Sequence, residues 1–233
     1  MSIILQPAFV LHRRAYRETS LIIELFTQDG GRISVVARGI RKARSRMAAL
    51  LQPFMPLLVS CHGKGELQTL SQAEPNGYTQ VLSGSNLRCG FYLNELLMRL
   101  LPKHDPHVQL FEVYRQTLEE LNKISAEGTR EKVLRLFEKK LLVEIGYGLP
   151  LKQEQQFDNE SRYRFDVEQG FLPCVQDRSG QSGIFAGKTL NALLSENFED
   201  SQSLQEMKRL MRFVLATLLG RPLESRRLFE DLT

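Results

Sequence analysis

Residues 32–46 read Arg-Ile-Ser-Val-Val-Ala-Arg-Gly-Ile-Arg-Lys-Ala-Arg-Ser-Arg, and the two halves of this stretch have different characters. The first half alternates and ends apolar, which is typical of a β-strand. The second half carries its cations around one glycine, and no amphipathic stripe fits their spacing. The pattern therefore predicts a strand that runs into a basic loop.

The charge of this stretch is concentrated rather than balanced. It holds six cations and no acid: Arg32, Arg38, Arg41, Lys42, Arg44 and Arg46. Cations on one loop repel each other unless a negative group lies nearby, and the natural partner is a phosphate backbone. A solvated surface turn is the alternative reading of a basic run.

Charge is distributed unevenly along the chain of 233 residues, which has a net charge of +4. Residues 1–80 hold ten Lys and Arg against five Asp and Glu, whereas residues 81–233 hold 21 against 22. This asymmetry favours a basic binding module joined to a near-neutral body. The three cysteines are odd in number and far apart, and no signal peptide or membrane-length apolar run is present, so we expect a reduced, cytoplasmic protein.

The first eighty residues predict about five short strands with closely spaced turns. Asp29-Gly30 supplies the positive φ of a hairpin turn before the strand at residue 32, and Gly63-Lys64-Gly65 marks another turn. Such a succession predicts a small antiparallel barrel, with an all-β sandwich as the structural rival.

From Leu87 onward the apolar period is helical. Thr129 is the expected N-cap of a helix that stops at Gly146, and Ser203 opens a capping box before a helix that stops at Gly220. The other predicted elements are helices at about 87–101, 106–122, 188–195 and 223–230, and a hairpin at 162–175 inside an irregular region, 147–185.

Catalytic signatures are weak in this sequence. His104 and His107 lack a third metal ligand at a recognisable spacing. Gly187-Lys188-Thr189 resembles the end of a phosphate-binding loop, but the glycine required five positions earlier is absent, so a helix start is the better reading. A nucleic-acid-processing enzyme remains the alternative, with Glu18, Glu24 and Asp29 as metal-binding candidates whose more natural roles are turn formation and pairing with arginines.

Other side chains extend the candidate nucleic-acid surface. Arg13, Arg14 and Arg17 join the basic loop if the first strand lies beside the third, and Lys64 lies in a separate turn. Tyr16, between charges, is the best stacking platform for a base, whereas Phe9, Phe26 and Phe54 are expected in the core. With so few exposed aromatics, binding should be driven by the nucleic-acid backbone with weak sequence preference.

A second group of cations falls on the predicted helix at 129–146. It comprises Arg130, Lys132, Arg135 and Lys139, of which the last two are four residues apart and share a face. Such a patch beside apolar residues suits an acidic, hydrophobic peptide tail. The alternative is a solvated face balanced by Glu131, Glu138 and Glu144. Whether Arg226 and Arg227 complete the nucleic-acid surface is left open by the sequence.

An ordered set of short motifs spans nearly the whole chain and resembles the RecO family of bacterial DNA repair proteins. The motifs are residues 8–11 (AFVL), 18–21 (ETSL), 36–39 (VARG), 51–54 (LQPF), 92–97 (YLNELL), 137–138 (FE), 146–148 (GYG), 222–226 (PLESR) and 228–229 (LF). Each motif is weak alone, but the set in this order is specific.

The resemblance implies an α+β multidomain chain: an N-terminal OB-fold barrel over residues 1–80 and a mainly α-helical domain over residues 81–233. It implies a mediator without enzymatic activity or cofactor, which binds single- and double-stranded DNA, anneals complementary strands and is nucleoid-associated. It also implies RecR, the acidic C-terminal tail of the single-stranded DNA-binding protein SSB and, indirectly, RecA as partners. Arg135 would lie near the tail-binding pocket.

One segment departs from the family pattern. Some members carry four zinc-binding cysteines after the Gly-Tyr-Gly motif, but residues 149–173 contain none, and Cys174 stands alone. We therefore expect no zinc-finger module, and this region must be held by packing.

Overall fold

The computed structural model describes residues 3–41, 46–77, 81–147, 156–166, 168–174 and 182–226. Packing divides the chain into two compact units, and each is described by itself. Unit 1 comprises Met1–Lys123 and Leu223–Thr233, and unit 2 comprises Ile124–Pro222. The predicted domain boundary at residue 81 stays a prediction.

The described residues of unit 1 form five strands, three helices and a 3₁₀ turn. These are β1 (Ile3–Tyr16), β2 (Ser20–Thr27), β3 (Gly31–Ala37), α1 (Arg46–Leu50), β4 (Leu57–His62), β5 (Leu67–Pro75), α2 (Gly84–Leu100), α3 (Val108–Lys123) and the 3₁₀ turn Glu224–Arg226. The strands close in the order β1-β2-β3-β5-β4, with β3 and β5 parallel and the other described pairs antiparallel. The OB-fold prediction is confirmed, and closure of the barrel rules out the sandwich.

Alternation along the strands fills the barrel. Ile23 and Leu25 of β2 face inward with Ile33 and Val35 of β3, and all four are fully buried. Leu70 of β5 belongs to the same core, so its neighbours Leu67 and Thr69, which differ from it by odd steps, lie on the outer face.

Aromatic side chains attach α3 to the outside of the barrel. The rings of Phe9 and Phe26 lie 5.5 and 5.3 Å from the ring of Phe111, and Phe9 lies 5.2 Å from Tyr114. The prediction that Phe9, Phe26 and Phe54 are core residues is confirmed, since all three are buried.

The segment between α2 and α3 crosses the start of β3. The backbone N–H of His104 donates to the Arg32 carbonyl at 2.9 Å. A Cβ atom on Gly31, whose φ is 65°, would lie 2.0 Å from the Asp105 carbonyl oxygen. Glycine is therefore required at position 31 both for its conformation and for this close approach.

Unit 2 contains α4 (Glu127–Glu144), β6 (Arg162–Asp166), β7 (Gly170–Cys174), β8 (Ile184–Ala186), α5 (Gly187–Leu194) and α6 (Ser201–Leu219). The predicted hairpin is confirmed as β6–β7, and β8 adds a third strand to give the order β7-β6-β8. The Glu206 carboxylate of α6 accepts hydrogen bonds from Ala186 N and Thr189 Oγ1 and pairs with Arg162 and Arg209.

Several predicted boundaries were wrong. Helix α4 begins before Thr129, with Ala126 at the N-cap position. Helix α6 is capped by Asp200 rather than Ser203, because the Asp200 carboxylate accepts from the N–H groups of Gln202 and Ser203. The short helix α1 was missed entirely. The predicted stop residues Gly146 and Gly220 both adopt positive φ.

Among the described residues, no helix is long and apolar enough to cross a lipid bilayer.

Candidate nucleic-acid interface

Arg41 joins the loop after β3 to the turn between β1 and β2. Its backbone N–H donates to the Thr19 carbonyl at 3.0 Å, and its Nη1 donates to the Arg17 carbonyl at 3.2 Å. Ile40, beside it, is buried in the barrel core and anchors the loop. The start of the predicted basic loop is thus fixed against the β1–β2 turn.

An open groove of about 640 Å³ lies beside this turn. Residues 16–20 form one wall, Val36 and Arg38 come from the end of β3, and residues 67–69 come from the start of β5. The parallel register of β3 and β5, in which Val36 is opposite Thr69, brings these segments together.

Positive charge predominates around the groove. Arg17, Arg38 and Arg41 are all exposed, while Glu18 is an acid in the groove lining. The Arg17 guanidinium lies 5.2 Å from the centre of the Tyr16 ring, within the range of a cation–π contact. The geometry therefore combines cationic side chains with an aromatic ring.

The predicted condition for the other N-terminal arginines was wrong, because β1 lies beside β2 and β4 rather than beside β3. Arg13 and Arg14 are exposed on β1, and Arg13 Nη1 donates to the Leu51 carbonyl at 3.4 Å. Only Arg17, at the turn, reaches the groove by way of the β1–β2 hairpin. Lys64 is exposed in the β4–β5 turn, three residues before Leu67.

Arg32 lies at the opposite end of β3 from Arg38. They are six positions apart along the chain, which is roughly 20 Å at the usual rise of a strand. Arg32 Nε donates to the Leu101 carbonyl at 3.1 Å, and Nη1 lies 3.6 Å from Glu24 Oε2. The Arg32 side chain thus ties β3 to the segment after α2, and it is not brought to the groove.

Part of the predicted surface lies outside the described residues. Lys42, Arg44 and Arg227 belong to this part, as do the side chains of Arg46, which begins α1, and of Arg226.

The predicted cationic patch on α4 is largely an ion-pair network. Arg135 is only 3% exposed; its Nη2 donates to Glu138 Oε1 at 2.6 Å, and its Nη1 lies 3.5 Å from Glu131 Oε2. Lys208 of α6 donates to the other oxygen of Glu131 at 2.6 Å.

The remaining predicted α4 cations are less deeply placed. Lys139 donates to Glu196 at 2.9 Å, Arg130 donates to the Ser125 carbonyl at 3.5 Å, and Lys132 is half-buried. One reading of the sequence predicted that acids within α4 would balance these cations. The partner of Lys139 is instead Glu196, which lies after α5 and which no local pattern connects with Lys139.

Of the three acids considered as metal-binding candidates, Glu24 has structural contacts, whereas Glu18 and Asp29 are exposed. Glu24 accepts a hydrogen bond from Ser34 at 2.5 Å and pairs with Arg32. Within the described ranges, no three His, Cys, Asp or Glu side chains are grouped as metal ligands would be. Gly187 begins α5, as predicted, and Glu206 accepts from Thr189 at the start of this helix.

Comparison with known proteins covers both parts of the chain. Residues 1–78 match the family model described as "Recombination protein O N terminal", and residues 82–227 match "Recombination protein O C terminal".

Curated relatives are similar over almost their whole length. The chain is 46% identical over 229 residues to DNA repair protein RecO of Coxiella burnetii (strain RSA 493 / Nine Mile phase I), with 96% of each chain covered. It is 46% identical to the protein of that name from Nitrosococcus oceani, covering 100% of this chain and 95% of the relative. It is 48% identical to that of Methylococcus capsulatus, covering 98% and 94%. The chain therefore belongs to the RecO family of DNA repair proteins.

Proposed function

We propose that this protein is a recombination mediator that binds single- and double-stranded DNA through its barrel, without sequence specificity and without catalysing a reaction. The observation that carries this proposal is the groove bordered by the β1–β2 turn and the start of β5, with exposed Arg17, Arg38 and Arg41 beside it. In OB-folds this side of the barrel, between the first turn and the β4–β5 connection, is the usual oligonucleotide surface.

The cations account for binding to either form of DNA. Arginine side chains on a phosphate backbone release condensed counterions, and this contribution does not depend on base sequence. Neutralising two strands on one protein also lowers the repulsion between them, which would promote annealing of complementary strands. Because Arg41 Nη1 donates to the Arg17 carbonyl, the backbone of the β1–β2 turn is fixed before DNA arrives.

Partner binding belongs to the same proposal. We propose that RecR and the acidic tail of SSB bind this chain, which then assists loading of RecA onto coated single strands at the nucleoid. Support for the tail comes from the end of α4, where Val143 and Tyr147 are 60% and 56% exposed and Lys140 lies on the same helix. An acidic, apolar peptide complements such a surface. Arg135 would act by shaping it, since its side chain is buried.

The test is the salt dependence of single-stranded DNA binding for Arg17→Glu/Arg38→Glu. Each lost phosphate contact lowers the slope of log K against log salt by about 0.7, so the double variant should lose at least about 1.4. The matched control is Lys123→Glu/Arg212→Glu, which changes the net charge equally at exposed positions that do not line the groove. Equal slopes for the two double variants would place the DNA surface elsewhere.

The alternative functions need separate assays. A nucleic-acid-processing enzyme would cleave labelled DNA in the presence of Mg²⁺ or Mn²⁺, and the mediator would leave it intact. An RNA-binding accessory protein using the same barrel would bind RNA more tightly than DNA at matched salt.

A further inference from the structure

We infer that the free edge of β1 at residues 12–15 is a docking site for an extended, acidic segment of a partner protein, which pairs with this edge as an added strand. None of these residues lines the groove that carries the proposed DNA binding. The inference therefore goes beyond the proposed function and does not depend on it.

The two edges of β1 are paired to different extents. β2 pairs with one edge as far as Tyr16, the last residue of the strand, whereas β4 pairs with the other edge only as far as Ala8. An isolated bridge to Pro53 extends the second pairing to Val10. Among the described residues, no strand pairs with this second edge at 12–15. An unpaired edge presents a row of N–H and C=O groups, which is the usual template for strand addition.

Side-chain exposure shows that this part of β1 projects from the barrel. A strand in a barrel wall buries every second side chain, but His12, Arg13, Arg14 and Ala15 are all exposed. Both faces of the strand are therefore open to solvent. An added strand would meet exposed neighbours on each of its two faces.

Charge identifies the occupant as acidic. Arg13 and Arg14 are consecutive, so their side chains leave opposite faces of the strand. Arg13 Nη1 donates to the Leu51 carbonyl, a neutral acceptor, which leaves its charge uncompensated. A strand with acids at successive positions would place a carboxylate beside an arginine on each face, and such cross-strand pairs are stabilising. A second copy of this chain is disfavoured, because pairing two of these edges would bring arginines together.

Backbone pairing distinguishes a peptide from DNA at this edge. Arginines on opposite faces of a strand do not form one row along a phosphate backbone, and the N–H and C=O groups of the edge lie between them. A peptide backbone satisfies those groups, whereas DNA would leave them unpaired. The segment also differs from the tail proposed for α4, because strand addition uses the backbone and needs no free C-terminal carboxylate.

The experiment uses the full-length protein and a labelled synthetic peptide with a central run of glutamate and aspartate. Valine and threonine flank this run, because they favour the extended conformation. The charge-matched comparison is the same peptide with methyl groups on the backbone nitrogens of the central run. Fluorescence anisotropy should show that the methylated peptide binds at least about fivefold more weakly, because it cannot donate to the edge. Hydrogen exchange within residues 12–15 should slow when the unmodified peptide binds.

Charge reversal tests the arginines. Arg13→Glu/Arg14→Glu should weaken binding of the acidic peptide at least about tenfold, because attraction on both faces becomes repulsion. Both side chains are exposed, so circular dichroism should report the wild-type fold. The matched control is Lys123→Glu/Arg212→Glu, with the same change of net charge at exposed positions outside β1, and its affinity should stay within about threefold of wild type.

Three results would overturn the inference. The first is equal binding of the two peptides, and the second is exchange protection confined to α4. The third is wild-type peptide affinity in Arg13→Glu/Arg14→Glu together with a salt slope for single-stranded DNA lowered by about 1.4, which would assign these arginines to DNA. An unchanged salt slope in Arg17→Glu/Arg38→Glu would instead count against the proposed DNA groove alone.

Discussion

Tyr114 of α3 donates a 2.5 Å hydrogen bond from its hydroxyl to Oδ1 of Asn94 on α2, deep in unit 1. The Asn94 amide nitrogen in turn donates to the Leu11 carbonyl of β1 at 2.8 Å. Leu11 lies where the β1–β2 register shifts between Val10 and His12, so its carbonyl is at a bulge in the ladder. These hydrogen bonds join α2 and α3 to the barrel at the irregular point of the β1–β2 ladder. Burial raises the pKa of the Tyr114 hydroxyl.

Tyr114→Phe should lower the free energy of unfolding by about 1–3 kcal/mol, because it leaves the buried Asn94 oxygen without its donor. Chemical denaturation followed by circular dichroism measures this loss. The matched control is Tyr147→Phe, which removes the same hydroxyl from an exposed ring and should change stability by less than about 0.5 kcal/mol. Equal stabilities of the two variants would show that the hydroxyl of Tyr114 contributes nothing.

Arg32→Gln should separate stability from DNA binding. The variant loses the contacts to Glu24 and to the Leu101 carbonyl, so we expect a loss of about 1–2 kcal/mol in unfolding free energy. The salt slope for single-stranded DNA should stay at the wild-type value, because Arg32 lies away from the groove.

The control for Arg32→Gln is Arg14→Gln, which removes the same charge from an exposed residue of β1. It should leave stability within about 0.5 kcal/mol of wild type. A slope lowered by about 0.7 in Arg32→Gln would return that residue to the DNA surface.

Glu206→Gln should destabilise unit 2 by about 1–3 kcal/mol, since the neutral amide loses its charge pairing with Arg162 and Arg209. The amide oxygen still accepts from Ala186 N and Thr189, so α5 should form. Hydrogen exchange at residues 184–189 would report the loss locally. Glu199→Gln, at an exposed site, is the control, and equal exchange in both variants would contradict a central role for Glu206.

The contact between Glu95 and the 3₁₀ turn should depend on pH. Burial raises the pKa of the Glu95 carboxyl, but hydrogen bonds from Ser225, from the Glu224 N–H and from Arg99 outweigh it, so the pKa is lowered overall. Because the pKa of Glu95 is lower in the folded than in the unfolded chain, its ionised form stabilises the fold at pH values above the unfolded-state pKa, about 4.3. This stabilisation is lost as the pH falls through the folded-state pKa.

Thermal unfolding of wild type and Glu95→Gln measures this effect. The difference in Tm should be constant from about pH 5.5 to 7.5 and should shrink below about pH 4. A difference that persists undiminished at pH 3 would mean that ionised Glu95 is not its source.

Turn residues, strand alternation and helix-ending glycines predicted the elements whose formation depends on neighbouring residues in the sequence. The Asp29-Gly30 turn and the alternation after residue 32 gave the β2–β3 hairpin, and Gly220 gave the end of α6. The short helix α1 was missed because five residues are too few for a period to show.

The residues around the groove were harder to predict than the fold, because their positions depend on contacts between distant parts of the chain. Arg32 and Arg38 look alike in the sequence, but Arg32 contacts the Leu101 carbonyl, 69 positions away in the chain. Nothing local in the sequence indicates that Leu67, at the start of β5, lies beside the β1–β2 turn. Such differences arise from tertiary neighbours, which a single sequence does not display.

The return of the chain to unit 1 at Leu223 sets an order of events during synthesis on the ribosome. Leu223 is buried and Glu95 binds the N–H groups of Glu224 and Ser225, yet residues 124–222 must all be translated before this segment exists. At bacterial elongation rates the interval is roughly 5–20 s. Throughout that time the barrel, α2 and α3 exist without the segment that begins at Leu223. Any truncated product that ends in unit 2 would lack this segment permanently.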